Sequence, residues 1–254
     1  MTFFSIVSVE HLGLALVVAS FAGIVKGMVG FAMPMILISG LGSFLSPELA
    51  LAGLMLPTLA TNAWQGMRDG LRAALASLAR FKLFLGVGAL CLFASAQLVG
   101  VLPAEVLLTI IGLPLVFFAI WQLLGRPLTL SEASRRIEVA MAVLAGSLGG
   151  VSGVWGPPVV AYLTALNTPK AEQMRIQGVL YLLGSVALVV AHTGSGVVTR
   201  DSMAFSALLV PAALAGMWVG YRLQDRIDQA AFRRATLVVL LIAGLNLIRR
   251  GLLG

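Results

Sequence analysis

The chain has 254 residues, 59% hydrophobic and only 11% charged, with a net charge of +7. A water-soluble domain carries about 25% charged residues, so an ordinary soluble fold is excluded. One cysteine rules out an intrachain disulfide and a thiolate metal cluster, and two distant histidines argue against a metal or haem centre; no metal and no cofactor is expected.

The first ten residues, MTFFSIVSVE, hold no Lys or Arg. The basic start of a secretory signal is missing, so the first hydrophobic stretch is expected to stay in the mature protein. Five hydrophobic segments follow in the first half, roughly 8–26, 29–46, 48–67, 83–101 and 104–124. Two of them contain charge-free runs, 83–99 and 106–124, about long enough to cross a hydrocarbon core of roughly 30 Å. They lack the polar–apolar alternation of barrel strands, which leaves helices as the spanning element.

Between the first two segments the chain reads GIVKGMVGFAMP, residues 23–34. Lys26 lies inside this element, either as a cation for an anionic ligand or as a side chain snorkelling to the interface. The third segment carries Thr58, Thr61, Asn62 and Gln65 at i, i+3, i+4 and i+7, one helix face. That face either lines a pathway or bonds neighbouring helices.

A polar linker, residues 125–138, separates the halves; Thr129 and Glu132 have capping-box spacing. The second half again offers five segments, roughly 138–153, 155–168, 171–194, 202–221 and 235–250. The last is weak, since only 14 residues separate Arg234 from Arg249. Residues 146–157 read GSLGGVSGVWGP and repeat the earlier pattern: Gly23, Gly27, Gly30 and Pro34 match Gly146, Gly150, Gly153 and Pro157. Pro47 and Pro169 extend the correspondence. Glycine pairs for helix packing are the simpler account of the glycines alone, but not of the shared prolines. Lys26 has Gly149 as its counterpart, so a site built on the repeat is asymmetric. From Glu138 to Lys170 there are 31 uncharged residues, about 46 Å as a single helix. A break is therefore expected in GGVSGVWGPP, residues 149–158.

Placing loop 67–82 in the cytoplasm puts thirteen basic residues inside and three outside. The N-terminus is then outside. An odd number of crossings per half inverts the second repeat relative to the first. The same distribution assigns the positive charge to topology rather than to nucleic acid. Helix ends exposed at such breaks, near the interface of inverted repeats, hold anions with their N–H groups and dipole. No P-loop motif is present, and the charge-free spans hold no Asp or Glu, which argues against ATP hydrolysis, a buried carboxylate relay and an intramembrane enzyme.

The two motifs, each early in a half and each followed by a proline-led helix, resemble the TauE/SafE sulfite exporter family, also called the toluene-sulfonate uptake permeases. The resemblance covers roughly residues 10–250. Phe31-Ala32-Met33 after Gly30 departs from the more glycine-dense family form. The resemblance implies transport of sulfite, an organosulfonate or a related small organic anion.

The expectation is an all-α polytopic membrane protein with two inverted-topology repeats and broken, Gly/Pro-interrupted helices. Residues 1–124 form the first repeat, 125–138 a cytoplasmic linker and 139–254 the second repeat. The expected role is secondary transport of a small anion in a bacterial inner membrane, with a passive anion channel as the alternative. The expected substrate residues are Lys26, Gly27, Gly30, Pro34, Thr58, Thr61, Asn62, Gly150, Gly153, Trp155, Pro157 and Gln177. The partners are the anion and the lipid bilayer, with no nucleic acid. A coupling ion (proton or sodium) and a homo-oligomer are left open.

Overall fold

A computed structural model describes residues 7–97, 104–125, 130, 134–152, 156–192 and 198–253. The described residues form eleven helices and no strand. In chain order these are α1 (Val9–Val29), α2 (Met33–Leu41), α3 (Pro47–Met67), α4 (Leu71–Arg80), α5 (Lys82–Gln97), α6 (Ala104–Leu123), α7 (Arg135–Ser152), α8 (Gly156–Ala165), α9 (Lys170–His192), α10 (Arg200–Arg226) and α11 (Gln229–Leu253). Each of the ten hydrophobic segments coincides with one helix. The eleventh, α4, lies in the stretch read as a loop.

Among the described residues, three helices are by themselves long and apolar enough to cross a bilayer: Val9–Val29, Arg200–Arg226 and Gln229–Leu252. A fourth span results if α4 and α5, bent by 72° at Phe81, count as one. At 9 and 10 residues, α2 and α8 cover only about 14–15 Å each, half a hydrocarbon core. The weak last segment is a helix of 25 residues, because the arginines that shorten its apolar run stand near its ends. The capping box at Thr129 and Glu132 lies outside the described residues.

The chain forms two compact units, each drawing on both halves of the sequence. The first unit comprises Met1–Asp69 and Gly178–Ile227. Its core is made by Ala15, Ala19 and Ala22 of α1, Met33 and Leu37 of α2, Leu54 of α3, and Phe205, Leu209 and Ala213 of α10. Small residues let α1 and α10 meet backbone to backbone. A Cβ on Gly23 would stand 2.2 Å from the Ala213 carbonyl oxygen, and one on Gly216 would stand 2.0 Å from that of Ser20. Such contacts are how helices associate where lipid removes the hydrophobic driving force.

Helix α3 begins with Ser46 accepting from the Leu49 N–H (3.3 Å) and with Pro47 in its first turn. Pro57 sits inside α3 and lacks the N–H that would satisfy the Gly53 carbonyl. Ser206 of α10 supplies the substitute: its Oγ donates to Gly53 O (3.2 Å) and accepts from Leu56 N–H (3.1 Å).

The second unit comprises Gly70–Gln177 and Asp228–Gly254. Here α7 packs on α5 and α11 on α6. A Cβ on Gly146 would lie 2.2 Å from Gly88 O, and one on Gly112 would lie 3.0 Å from Gly244 O. Residues Pro157 to Ala165 of α8 are all buried.

Candidate functional site

Lys26 stands at the centre of the candidate site. It lies in the last turn of α1 with 1% of its surface exposed. Its ammonium donates to Asn62 Oδ1 of α3 and stands 5.8 Å from the centroid of the Tyr181 ring. The side chain therefore points into protein and does not snorkel. Ion pairs among the described residues join Arg68 to Asp225 and Arg80 to Glu172; none reaches Lys26. An ammonium has three donors, and among the described residues Asn62 fills one of them.

Asn62 is held in one orientation. Its Nδ2 donates to Ser185 Oγ (2.6 Å) and to the Tyr181 carbonyl (3.0 Å), which turns Oδ1 toward Lys26. Ser185 Oγ in turn donates to Tyr181 O (2.7 Å). The rest of the same α3 face reaches the junction between α1 and α2. Gln65 Nε2 donates to Gly30 O (3.0 Å), and Thr61 Oγ1 lies 3.3 Å from Met33 Sδ while donating to Pro57 O (2.7 Å). Thr58 Oγ1 is buried without a hydrogen-bond partner among the described residues.

The junction spans only residues 30–32. Gly30 has φ 88° and caps α1 by donating its N–H to Lys26 O (2.6 Å); Ala32 has φ 73°. Both lie in the left-handed region, which suits glycine and strains alanine. Helix α2 then starts with Pro34 in its first turn and no side chain capping its N-terminus. A buried cation, an uncapped helix start and a partnerless hydroxyl are thus gathered on one unit. All three complement negative charge.

The model of the sulfite exporter TauE/SafE family matches residues 15–247. The chain belongs to the TauE/SafE family. No curated protein and no solved structure matches it. Membership makes this an integral membrane protein of a transporter family, in agreement with its long apolar helices.

Of the residues expected to serve a TauE/SafE substrate, the first unit holds seven. Lys26, Gly30, Thr61 and Asn62 belong to the linked set above; Thr58 stands on α3 with Thr61 and Asn62, and Pro34 stands in the first turn of α2. Gly27 has a different environment: a Cβ there would lie 2.3 Å from Met217 O and 2.9 Å from Gly220 Cα, so it serves the close approach of α1 and α10. Gly150 (near the end of α7), Pro157 (at the start of α8) and the fully buried Gln177 (on α9) belong to the second unit. Gly153 and Trp155 lie outside the described residues.

Ser185 went unrecognised in the sequence. A signal for Ser185 existed. The 123-residue offset that carries Gly23 onto Gly146 also carries Asn62 onto Ser185, and these two side chains are bonded to each other.

Proposed function

We propose that this TauE/SafE protein is a secondary transporter of a small anion, such as sulfite, an organosulfonate or a related small organic acid. It works by alternating access at a site where two inverted repeats meet. The observation that carries this reading is Lys26. Burying a charge without a partner costs several kcal/mol, and this lysine has one amide oxygen and no carboxylate among the described residues. An anion held between Nζ and the start of α2, with Thr58 as a further donor, supplies the missing charge. Gly30 and Ala32 set the turn that brings α2 there, and Thr61 and Asn62 orient the face beneath it.

Two features support the inverted repeats. The first helix of each repeat packs, glycine against backbone, on a helix of the other repeat: α1 on α10, α7 on α5. The bond between Asn62 and Ser185 joins residues one repeat offset apart, as expected for groups near a pseudo-two-fold axis. Gly150, Gly153, Trp155, Pro157 and Gln177 are proposed as substrate-handling residues of the second repeat. The distribution of basic residues among the loops favours an N-terminus outside a bacterial inner membrane.

The test is flux through purified protein in liposomes, with labelled sulfite and small sulfonates. Saturable uptake and counter-exchange are expected. An ohmic anion current without saturation would replace the transporter by a channel.

A further inference from the structure

Helix α4 carries three separate stripes. Ala74 and Ser77, continued by Phe81, are buried, and Ser77 Oγ accepts from Arg175 Nε (3.0 Å). Leu71 and Leu75 stand on an adjoining stripe with 64% and 53% of their surfaces exposed. Arg72, Ala76 and Arg80, at i, i+4 and i+8, form the third, which is exposed and basic. Arg80 is paired with Glu172, but Arg72 and Lys82 (the first residue of α5) have no acidic partner among the described residues. At Phe81 the chain turns by 72° into α5, a charge-free run once past Lys82.

Exposed leucines beside cations that lack an acidic partner suit a bilayer surface: acyl chains take up the leucines, and phosphate groups meet the cations a few ångströms further out. The bend is what a helix lying in the interface requires before its neighbour enters the hydrocarbon.

We propose that α4 lies flat in the headgroup layer and is a binding site for anionic phospholipid. Leu71 and Leu75 are immersed among the acyl chains, and Arg72 and Lys82 bind headgroup phosphate. The inference needs only that the protein is integral to the membrane and is independent of the transported substrate.

Two measurements on the full chain test it. In a Cys91→Ser background, nitroxides are attached at Leu75→Cys or Ala76→Cys and the protein is placed in phosphatidylcholine liposomes containing phosphatidylglycerol. The label at 75 should relax with oxygen and be shielded from an aqueous nickel chelate, and the label at 76 should show the reverse. Equal access of the chelate to both would overturn the placement. Thermal stability is then compared with and without phosphatidylglycerol. The parent should gain a stabilising shift, which Arg72→Gln/Lys82→Gln should lose while matching the parent in pure phosphatidylcholine. Retention of the shift by the double variant, or an equal shift from inorganic phosphate alone, would overturn the lipid site.

Discussion

Lys26 has the sharpest consequences at the scale of single residues. Its ammonium is buried and bonded to Asn62. Removing a desolvated charge-assisted bond costs about 1.5–3 kcal/mol. Lys26→Ala should therefore weaken substrate binding by more than about tenfold. Lys26→Arg should keep part of the affinity, because the charge survives in a different geometry. Titration calorimetry on purified protein reads both, and an unchanged dissociation constant in Lys26→Ala would move the site off α1. Ser206 offers a test without substrate. Ser206→Ala leaves the Gly53 carbonyl without its donor and should cost about 1–3 kcal/mol. Adding Pro57→Ala restores an N–H to the same carbonyl and should return part of that loss, so the two changes are non-additive in a melting assay. Additive losses would show that Ser206 acts elsewhere. Lys26 and the polar face of α3 were visible in the sequence, since charge and amide groups stand out in apolar runs. Ser185 was not, because a lone serine in a membrane helix carries no signal until the repeat offset is applied.

Glycine governs the elements. Gly216→Leu should prevent α1 and α10 from meeting, since a Cβ alone would fall 2.0 Å from Ser20 O. Gly86→Leu should be tolerated, because nothing lies within 4 Å of a Cβ there. Detergent-solubilised yield and melting temperature separate the two, and equal behaviour would remove the close-packing account. Hydrophobic segments locate ten of the helices, with ends that differ by up to six residues. They missed α4 because four basic residues between 67 and 82 read as a loop, although Leu71, Leu75 and Leu78 keep helical spacing between them. They understate α11, because arginine shortens its apolar run without ending the helix. Arg233 instead stays within the helix and donates to Asn167 Oδ1 (3.1 Å) and to Gln122 Oε1.

For the whole molecule, the proposed orientation rests on basic residues gathered in alternate loops. A tag at the N-terminus should be cleaved by external protease in intact cells, and protection would reverse the topology. The duplicated motifs were legible because Gly and Pro recur at fixed spacing. The partition into two compact units was not. Each unit mixes helices from both halves, and sequence order carries no sign of which distant helices will pair.

The solitary charge of Lys26 has an electrical consequence. Its repeat counterpart, Gly149, brings none, and no acid neutralises it among the described residues. On the proposed reading, a site loaded with a monoanion is neutral and an empty site carries one positive charge. One charge crossing the full membrane potential feels about 2.3 kcal/mol per 100 mV. Voltage should then act on the return of the empty site and spare the loaded one. In liposomes clamped with valinomycin and potassium, net uptake should vary with potential while one-for-one exchange stays level. Exchange that follows the voltage would mean that the moving charge is not this lysine.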